Sequence, residues 1–489
     1  TFTTVAIANT VQGAVQTFSP FSAMNTRETP NENGNGDGIY LQDNTGTFTV
    51  NGGTITSSGD NAIDIFDAGG ITISGVTIDG SANTAVQATR VAGLSIVDSM
   101  IRNFGNATAV STARENAISL REVTGAINLQ RSTIDTGFGF VFERFAQLPE
   151  NIGLELNNIS AAPATLTVTG STIKKLDFEG MQIRYQDSNV TVRVDGSTAD
   201  GANVFNLING AAINFGQTAA DGGSTGTLVV NDSNLTDIGI GTRVGNLSNT
   251  TNTNSVTNVR LEDNVITRTF AEGFRLRGFG GPQRSTFNMR IIDNDIFDVG
   301  RAVSTVGGAG QTGAGNGIES LLEDRIDARI LIDGNTIDDV TPDAGSLGVN
   351  IRTTDGTDLD LVFTNNMVLD VGNPTQGGTG SPTGIVEIGA FANSGEPNPD
   401  TCVHFTGNTL TPRPSTPAIF SNLFLDDTSP AAKYILQGLI TGGDSFAAST
   451  FLDMSNTWPP AQFPGITVGV ANLLDAHASE TCSTPPLIP

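Results

Sequence analysis

Lysine is almost missing from this chain. Lys174, Lys175 and Lys433 are the whole set in 489 residues, and Lys+Arg total 24 against 50 Asp+Glu, a formal net charge of −26. A nucleic-acid binder needs a basic face, and an anionic membrane surface attracts basic segments, so neither partner fits. No apolar run reaches the roughly 18 residues of a transmembrane helix, so membrane insertion is not expected. Tryptophan occurs once and tyrosine three times, which leaves little aromatic surface for stacking against sugar rings. Cysteine is limited to Cys402 and Cys482, 80 positions apart, which is not metal-ligand spacing. They read either as two unrelated buried thiols or as a disulfide closing a C-terminal cap. The second reading is favoured because the chain otherwise avoids cysteine and looks extracellular or cell-surface in composition.

What the chain has in abundance is glycine, 58 residues, with Thr, Asn and Asp, and these fall into a repeat. The segments FTVNGGTI (48–55), ITISGVTI (71–78), LSIVDSMI (94–101), INLQRSTI (127–134), LTVTGSTI (166–173) and VRVDGSTA (192–199) align with LVVNDSNL (228–235), VRLEDNVI (259–266), MRIIDNDI (289–296), ILIDGNTI (330–337), LVFTNNMV (361–368) and VHFTGNTL (403–410). Each has apolar residues at its first, third and eighth positions. An apolar–any–apolar start is the period of a strand with one buried face. The Gly, Asp, Asn and Ser that follow tolerate turn conformations, and the eighth position opens a second short strand into the same interior. A third strand recurs between repeats, as in Ala62–Ile65, Ala117–Leu120, Gly180–Ile183, Gly273–Leu276 and Gly348–Ile351. Starts recur at intervals of roughly 23 to 42 residues, one solenoid coil with or without an insertion. The sixth position is Ser at Ser99, Ser132, Ser171, Ser197 and Ser233, then Asn at Asn264, Asn294, Asn335, Asn366 and Asn408. Like residues stacked in successive coils form hydrogen-bonded ladders, so these asparagines are read as structural.

These segments resemble the repeats of right-handed parallel β-helix proteins of the pectate-lyase-like superfamily, and secreted bacterial surface β-helix proteins in particular. The resemblance implies an all-β, single-stranded parallel β-helix of about twelve or more coils. Residues 37–412 are assigned to the helix, 1–36 to an N-terminal cap or donated segment, and 413–489 to a C-terminal capping region. In the last, a short helix is expected around Val468–Leu474.

The superfamily contains polysaccharide lyases and hydrolases. The NTD, GHG and RIK motifs of its galacturonan hydrolases are missing, and the histidines are His404 and His477 alone. Its lyases imply a Lys or Arg base with Ca²⁺ held by carboxylates. Outward arginines at Arg193, Arg260 and Arg290, and Arg275 and Arg277 flanking Leu276, are the candidates for such a base. Calcium is the most plausible ligand. Asn31, Asn33, Asn35 and Asp37 alternate in a Gly-rich loop, and Asp355, Asp358 and Asp360 cluster before a repeat strand; hard oxygen donors of this type suit Ca²⁺, and acids that simply solvate the surface are the alternative. With no catalytic set recognised, the main expectation is a non-catalytic structural or adhesive subunit of an extracellular fibre, sheath or filament, self-associating end to end or laterally. The alternative is a polysaccharide lyase or hydrolase, or a carbohydrate-binding β-helix.

Overall fold

The computed structural model describes residues 5–8, 36–105, 115–137, 151–158, 163–217, 223–245, 254–280, 284–300, 315–340, 347–371, 385–391, 400–412, 423–427, 433–437, 439, 452, 454–457, 467–470 and 481–488. The chain is a parallel β-helix in which each coil supplies a strand to each of three sheets. It divides into two compact units, unit 1 (Thr1–Gly216 with Val230–Gly239) and unit 2 (Gln217–Val229 with Ile240–Pro489).

In unit 1 the first sheet stacks Ile39–Gln42, Ile63–Ala68, the start of Val86–Val97, Asn116–Arg121, Ile152–Asn158 and Met181–Tyr185. The second sheet sets Ile71, Leu94, Ile127, Leu166 and Val192 in one register line. The third lines up Ile78, Ile101, Ile134, Ile173 and Phe205. The N-terminal strand Val5–Ala8 pairs in parallel with Gly53–Thr56 of its own chain.

Unit 2 repeats the plan. Its first sheet holds Phe274–Phe279, Ile318–Glu323, Val349–Thr354, Val386–Phe391, Leu423–Asp427 and Thr467–Val470. Its second holds Val256–Glu262, Ser285–Ile292, Ile326–Asp333, Asp358–Thr364, Asp400–Thr406 and Lys433–Leu436. Val259, Met289, Ile330, Leu361 and Val403 form one inward line there, each fully buried. Every such side chain withdrawn from water contributes about 1.5–3 kcal/mol, and Phe363 stacks on Phe405 with ring centroids 4.9 Å apart.

The corner between second and third sheets explains the polar half of the repeat. The residue before most ladder positions takes a left-handed conformation, as at Asp263, Asp293 and Asn365 with φ of 52°, 52° and 57°. Asp and Asn adopt it at small cost. Gly334 does the same job where an added Cβ would strike the Asp293 carboxylate of the previous coil. The turn directs the next side chain inward. Asn264 Nδ2 donates to Asn294 Oδ1 (2.9 Å), Asn294 to Asn335 (2.9 Å), Asn335 to Asn366 (3.0 Å) and Asn366 to Asn408 (3.2 Å). Each oxygen also accepts the ladder residue's backbone N–H one coil back, as from Asn294 N to Asn335 Oδ1 at 3.0 Å. In unit 1 serine hydroxyls play this part: Ser99 N donates to Ser132 Oγ and Ser132 N to Ser171 Oγ (3.1 and 3.2 Å).

The structure departs from the repeat in three places. Ser197 is not a ladder member: it sits in a turn where its Oγ accepts from Asp200 N (2.8 Å), and Asn203 takes the ladder place, accepting from Ser171 N at 3.0 Å. The strand that follows therefore begins six residues later than the alignment predicts, and Phe205, not Ala199, faces Ile173. The asparagine ladder also runs on to Asn456, which accepts from Asn408 Nδ2 at 3.0 Å. Finally, Thr467–Val470 is a strand on Phe424–Asp427, not the start of a helix, because an unpaired sheet edge there offers it a full row of hydrogen-bond partners; 471–474 lie outside the described residues.

Asn335 Nδ2 donates to Ile291 O and Asp333 O as well as to Asn366, so one side chain ties three coils. Asn335→Ala should lower the stability of unit 2 by about 2–4 kcal/mol, measured by chemical denaturation; a loss below about 1 kcal/mol would mean that the ladder adds little to the turn itself.

Candidate active site

Strand alternation turns Phe274 and Leu276 into the core of unit 2 and leaves Arg275 and Arg277 on the outer face of its first sheet. Parallel register then lines up Arg243, Arg275, Glu319, Asn350 and Glu387 across successive coils, and beside them Arg277, Leu321 and Arg352. Four arginines thus share one face of a chain with few basic residues. Glu272, at the corner preceding Phe274, completes the group.

The carboxylate of Glu319 is the hub. It lies 3.3 Å from Arg277 Nη2 and 3.7 Å from Arg275 Nε, and its other oxygen accepts from Asn316 Nδ2 at 3.3 Å. Arg275 Nη1 also stands 3.8 Å from Glu272 Oε2. Glu272 is only 5% exposed, and its pKa is pushed up to about 7, by burial first, with Arg275 pulling it down and the charge of Glu319 pushing it up. On the neighbouring coils Arg352 binds Glu387 through Nε and Nη2 (3.0 and 2.7 Å). A carboxyl that titrates near neutrality beside a guanidinium group suits proton transfer at an anionic substrate.

Arg275 and Arg277 lie beside carboxylates, to which a guanidinium offers hydrogen-bond donors and no acceptor. The carboxyl of the cluster with a raised pKa is Glu272, which no repeat position reveals because it sits in the corner. The other arginines singled out by sequence are elsewhere. Arg260 binds Glu262 beside it, and Arg290 donates to Pro485 O at 3.3 Å, both on the outer face of the second sheet.

The residues read as calcium ligands fall in two separate places, the segment ending at Asp37 and the stretch Asp355–Asp360. Asn31, Asn33 and Asn35 lie outside the described residues. Asp37 is buried; its Oδ1 accepts from Asn61 N at 3.1 Å while Oδ2 has no hydrogen bond, and its pKa is raised to about 7 by burial, then by Asp64 and Asp60. Asp358 pairs with Arg284, which also binds Asp327. Asp360 lines a recess next to Cys402, and Asp355 occupies a left-handed turn where its charge bears on Glu323. Among the described residues the single group with metal-ligand proximity is Asp360, Cys402 and Cys482, and both sulfurs are bonded to each other in the Cys402–Cys482 disulfide. Around Glu319 the positive charge that a calcium ion would bring is supplied by arginine, so the donor set there does not fit Ca²⁺.

Unit 1 carries polar groups on the same outward face of its own first sheet. Asp64, Gln87, Ser119, Glu155 and Gln182 follow in register. Asn116 Nδ2 donates to Glu155 (2.7 Å), and Glu179 accepts from Gln182 and Asn214 (2.6 and 2.5 Å). Amide donors thus reach the carboxylates of both Glu155 and Glu179.

No protein-family model matches the sequence, and no curated protein matches it. Among solved structures the chain is similar to the A-module of the Azotobacter vinelandii mannuronan C-5 epimerase AlgE4, at 11% identity and a TM-score of 0.33, over 90% of this chain and 91% of that one. It is also similar to a PL6 alginate lyase in complex with a trisaccharide, at 10% identity and a TM-score of 0.29, over 82% and 79% of the two chains. Likeness at this level assigns no residue a role.

A carboxyl with a higher pKa folded than unfolded holds its proton more tightly in the folded state. The stability Glu272 contributes is complete below its ordinary value of 4.5 and is lost as pH rises to about 7. Glu272→Gln should therefore flatten the stability of unit 2 between these two pH values, by an amount on the order of 3 kcal/mol at most. Denaturation midpoints across that range check it; an unchanged slope would place the titration elsewhere.

Proposed function

We propose that the protein binds a chain of acidic sugars along the outer face of the first sheet in unit 2 and acts on it by proton transfer, as a polysaccharide lyase. The observation that carries this reading is Glu272: buried, titrating near neutrality, and in reach of Arg275 with Arg277 next to it. A sugar carboxylate entering between the guanidinium groups would exchange one carboxylate partner, Glu319, for another, with Arg forks matched to carboxylate geometry. That neutralisation acidifies the neighbouring C–H. Ionised Glu272 then accepts the proton, the adjacent C–O bond breaks as a double bond forms, and the leaving oxygen takes a proton from water. The small number of Trp and Tyr does not weigh against this substrate, since an acidic sugar held by ion pairs needs less stacking surface than a neutral one.

The ion pairs also favour a second reading. Arg352–Glu387 and Arg277–Glu319 join successive coils, as in a structural zipper, which suits a self-associating, non-catalytic surface or filament subunit held outside the cell.

Incubation with a panel of polyuronates, followed by ultraviolet absorbance of unsaturated ends and by reducing-end assay, separates the two. The proposal expects turnover that rises with pH through about 7, since the base must be ionised. It also expects a loss of about 100-fold in kcat for Glu272→Gln and a KM raised about tenfold for Arg277→Gln. No cleavage and no binding of any polyuronate by the wild-type protein would overturn it in favour of the zipper.

A further inference from the structure

Residues 481–488 are held against the outer face of the second sheet in unit 2, crossing its strands and not extending any of them. Cys482 is bonded to Cys402 on Asp400–Thr406, and its N–H donates to Gln437 Oε1 at 2.8 Å. Three residues on, Pro485 O accepts from Arg290 at 3.3 Å, on Ser285–Ile292. Two strands, Ile326–Asp333 and Asp358–Thr364, lie between these anchor points in the sheet.

The residues near the disulfide end are unusual for an outward face. Register places Leu331, Val362 and His404 in one outward line, and Asp360, Cys402 and Ile435 in the next. Val362, Cys402 and Ile435 are 8%, 8% and 6% exposed, and they form with Cys482 an apolar cluster against which Leu331 packs. The segment itself is amphipathic: Cys482 and Ile488 are 3% and 5% exposed while Leu487 is 85% exposed. Among the described residues its polar anchors are two hydrogen bonds, and its covalent anchor is the disulfide.

We propose that residues 481–488 form a thiol-releasable strap, whose disulfide decides whether the apolar strip Leu331–Val362–Ile435 is covered or open. Release is thiol–disulfide exchange. A thiolate of an external dithiol attacks one sulfur of the Cys402–Cys482 bond and displaces the other as a thiolate. The dithiol's second thiolate then closes its own disulfide, leaving Cys402 and Cys482 both reduced. Two hydrogen bonds and a small apolar contact compete poorly with the freedom an eight-residue segment regains, so the reduced strap leaves. The body beneath stays folded, because its strands pair with one another and not with the strap.

The test is hydrogen exchange on the full chain, with and without a dithiol reductant, alongside Cys482→Ser and a chain ending at residue 480. Reduction should speed exchange of the Cys482 amide about tenfold or more, while the amides of Leu361 and Val403 stay protected. A dye that binds exposed apolar surface should bind reduced, Cys482→Ser and truncated protein alike, and oxidised protein weakly. Continued protection of the Cys482 amide after complete reduction, shown by thiol labelling of both cysteines, would overturn the proposal. So would loss of protection at Leu361 and Val403 together with the strap, since the disulfide would then hold the coils and not a strap.

Discussion

In-register parallel pairing is the constraint on which everything else in each unit depends. A strand in a parallel stack hydrogen-bonds above and below, so a given position meets its own equivalent at ~4.8 Å on both sides. Whatever occupies that position must be compatible with itself. Branched and aromatic apolar residues satisfy this inside, as in the line Val259, Met289, Ile330, Leu361 and Val403. Asparagine satisfies it at the corner, because its amide is donor and acceptor at once and each copy completes the next. Charged residues satisfy it where opposite signs meet on neighbouring coils, or where a third group bridges like charges, as Arg284 does for Asp327 and Asp358. Arg275 against Glu319, and Arg131 against Asp98 at 2.7 Å in unit 1, are solutions to that problem.

The same constraint explains what the sequence made legible. Inward positions and the corner repeat because they are copied along the axis, so the first, third and eighth positions and the asparagine ladder stand out by eye. The coil at 192–205 defeated the alignment because the turn there is longer, with Ser197 and Gly201 exchanging backbone hydrogen bonds of 3.1 and 2.7 Å; Ser197 fits the spacing, but Asn203 has the geometry. Asn456 was hidden because the residues around it do not repeat the apolar pattern. The candidate site was half visible. Arg275 and Arg277 flank an inward Leu276 and could be read as outward. Glu272 belongs to a corner, Glu319 to a strand forty-odd residues away, and their convergence is a matter of register between coils, which a single sequence does not display.

Burial decides what the charged residues of unit 2 do. Arg284 bridges Asp327 and Asp358 on the second sheet, but all three side chains are 41–45% exposed, and ion pairs so open to water contribute little, about 0–1 kcal/mol. The same residue types on the first sheet stand in a different medium. Glu272 and Glu387 are each 6% exposed at the side chain, where a charge is costly unless paired. Glu387 meets that cost with the two-pronged contact from Arg352 and stays bound. Glu272 has Arg275 only at arm's length, so it meets the cost by holding a proton near neutrality. A carboxyl left short of a charged partner next to an otherwise paired row is poorly placed for stability, and this is what sets Glu272 apart from Glu387.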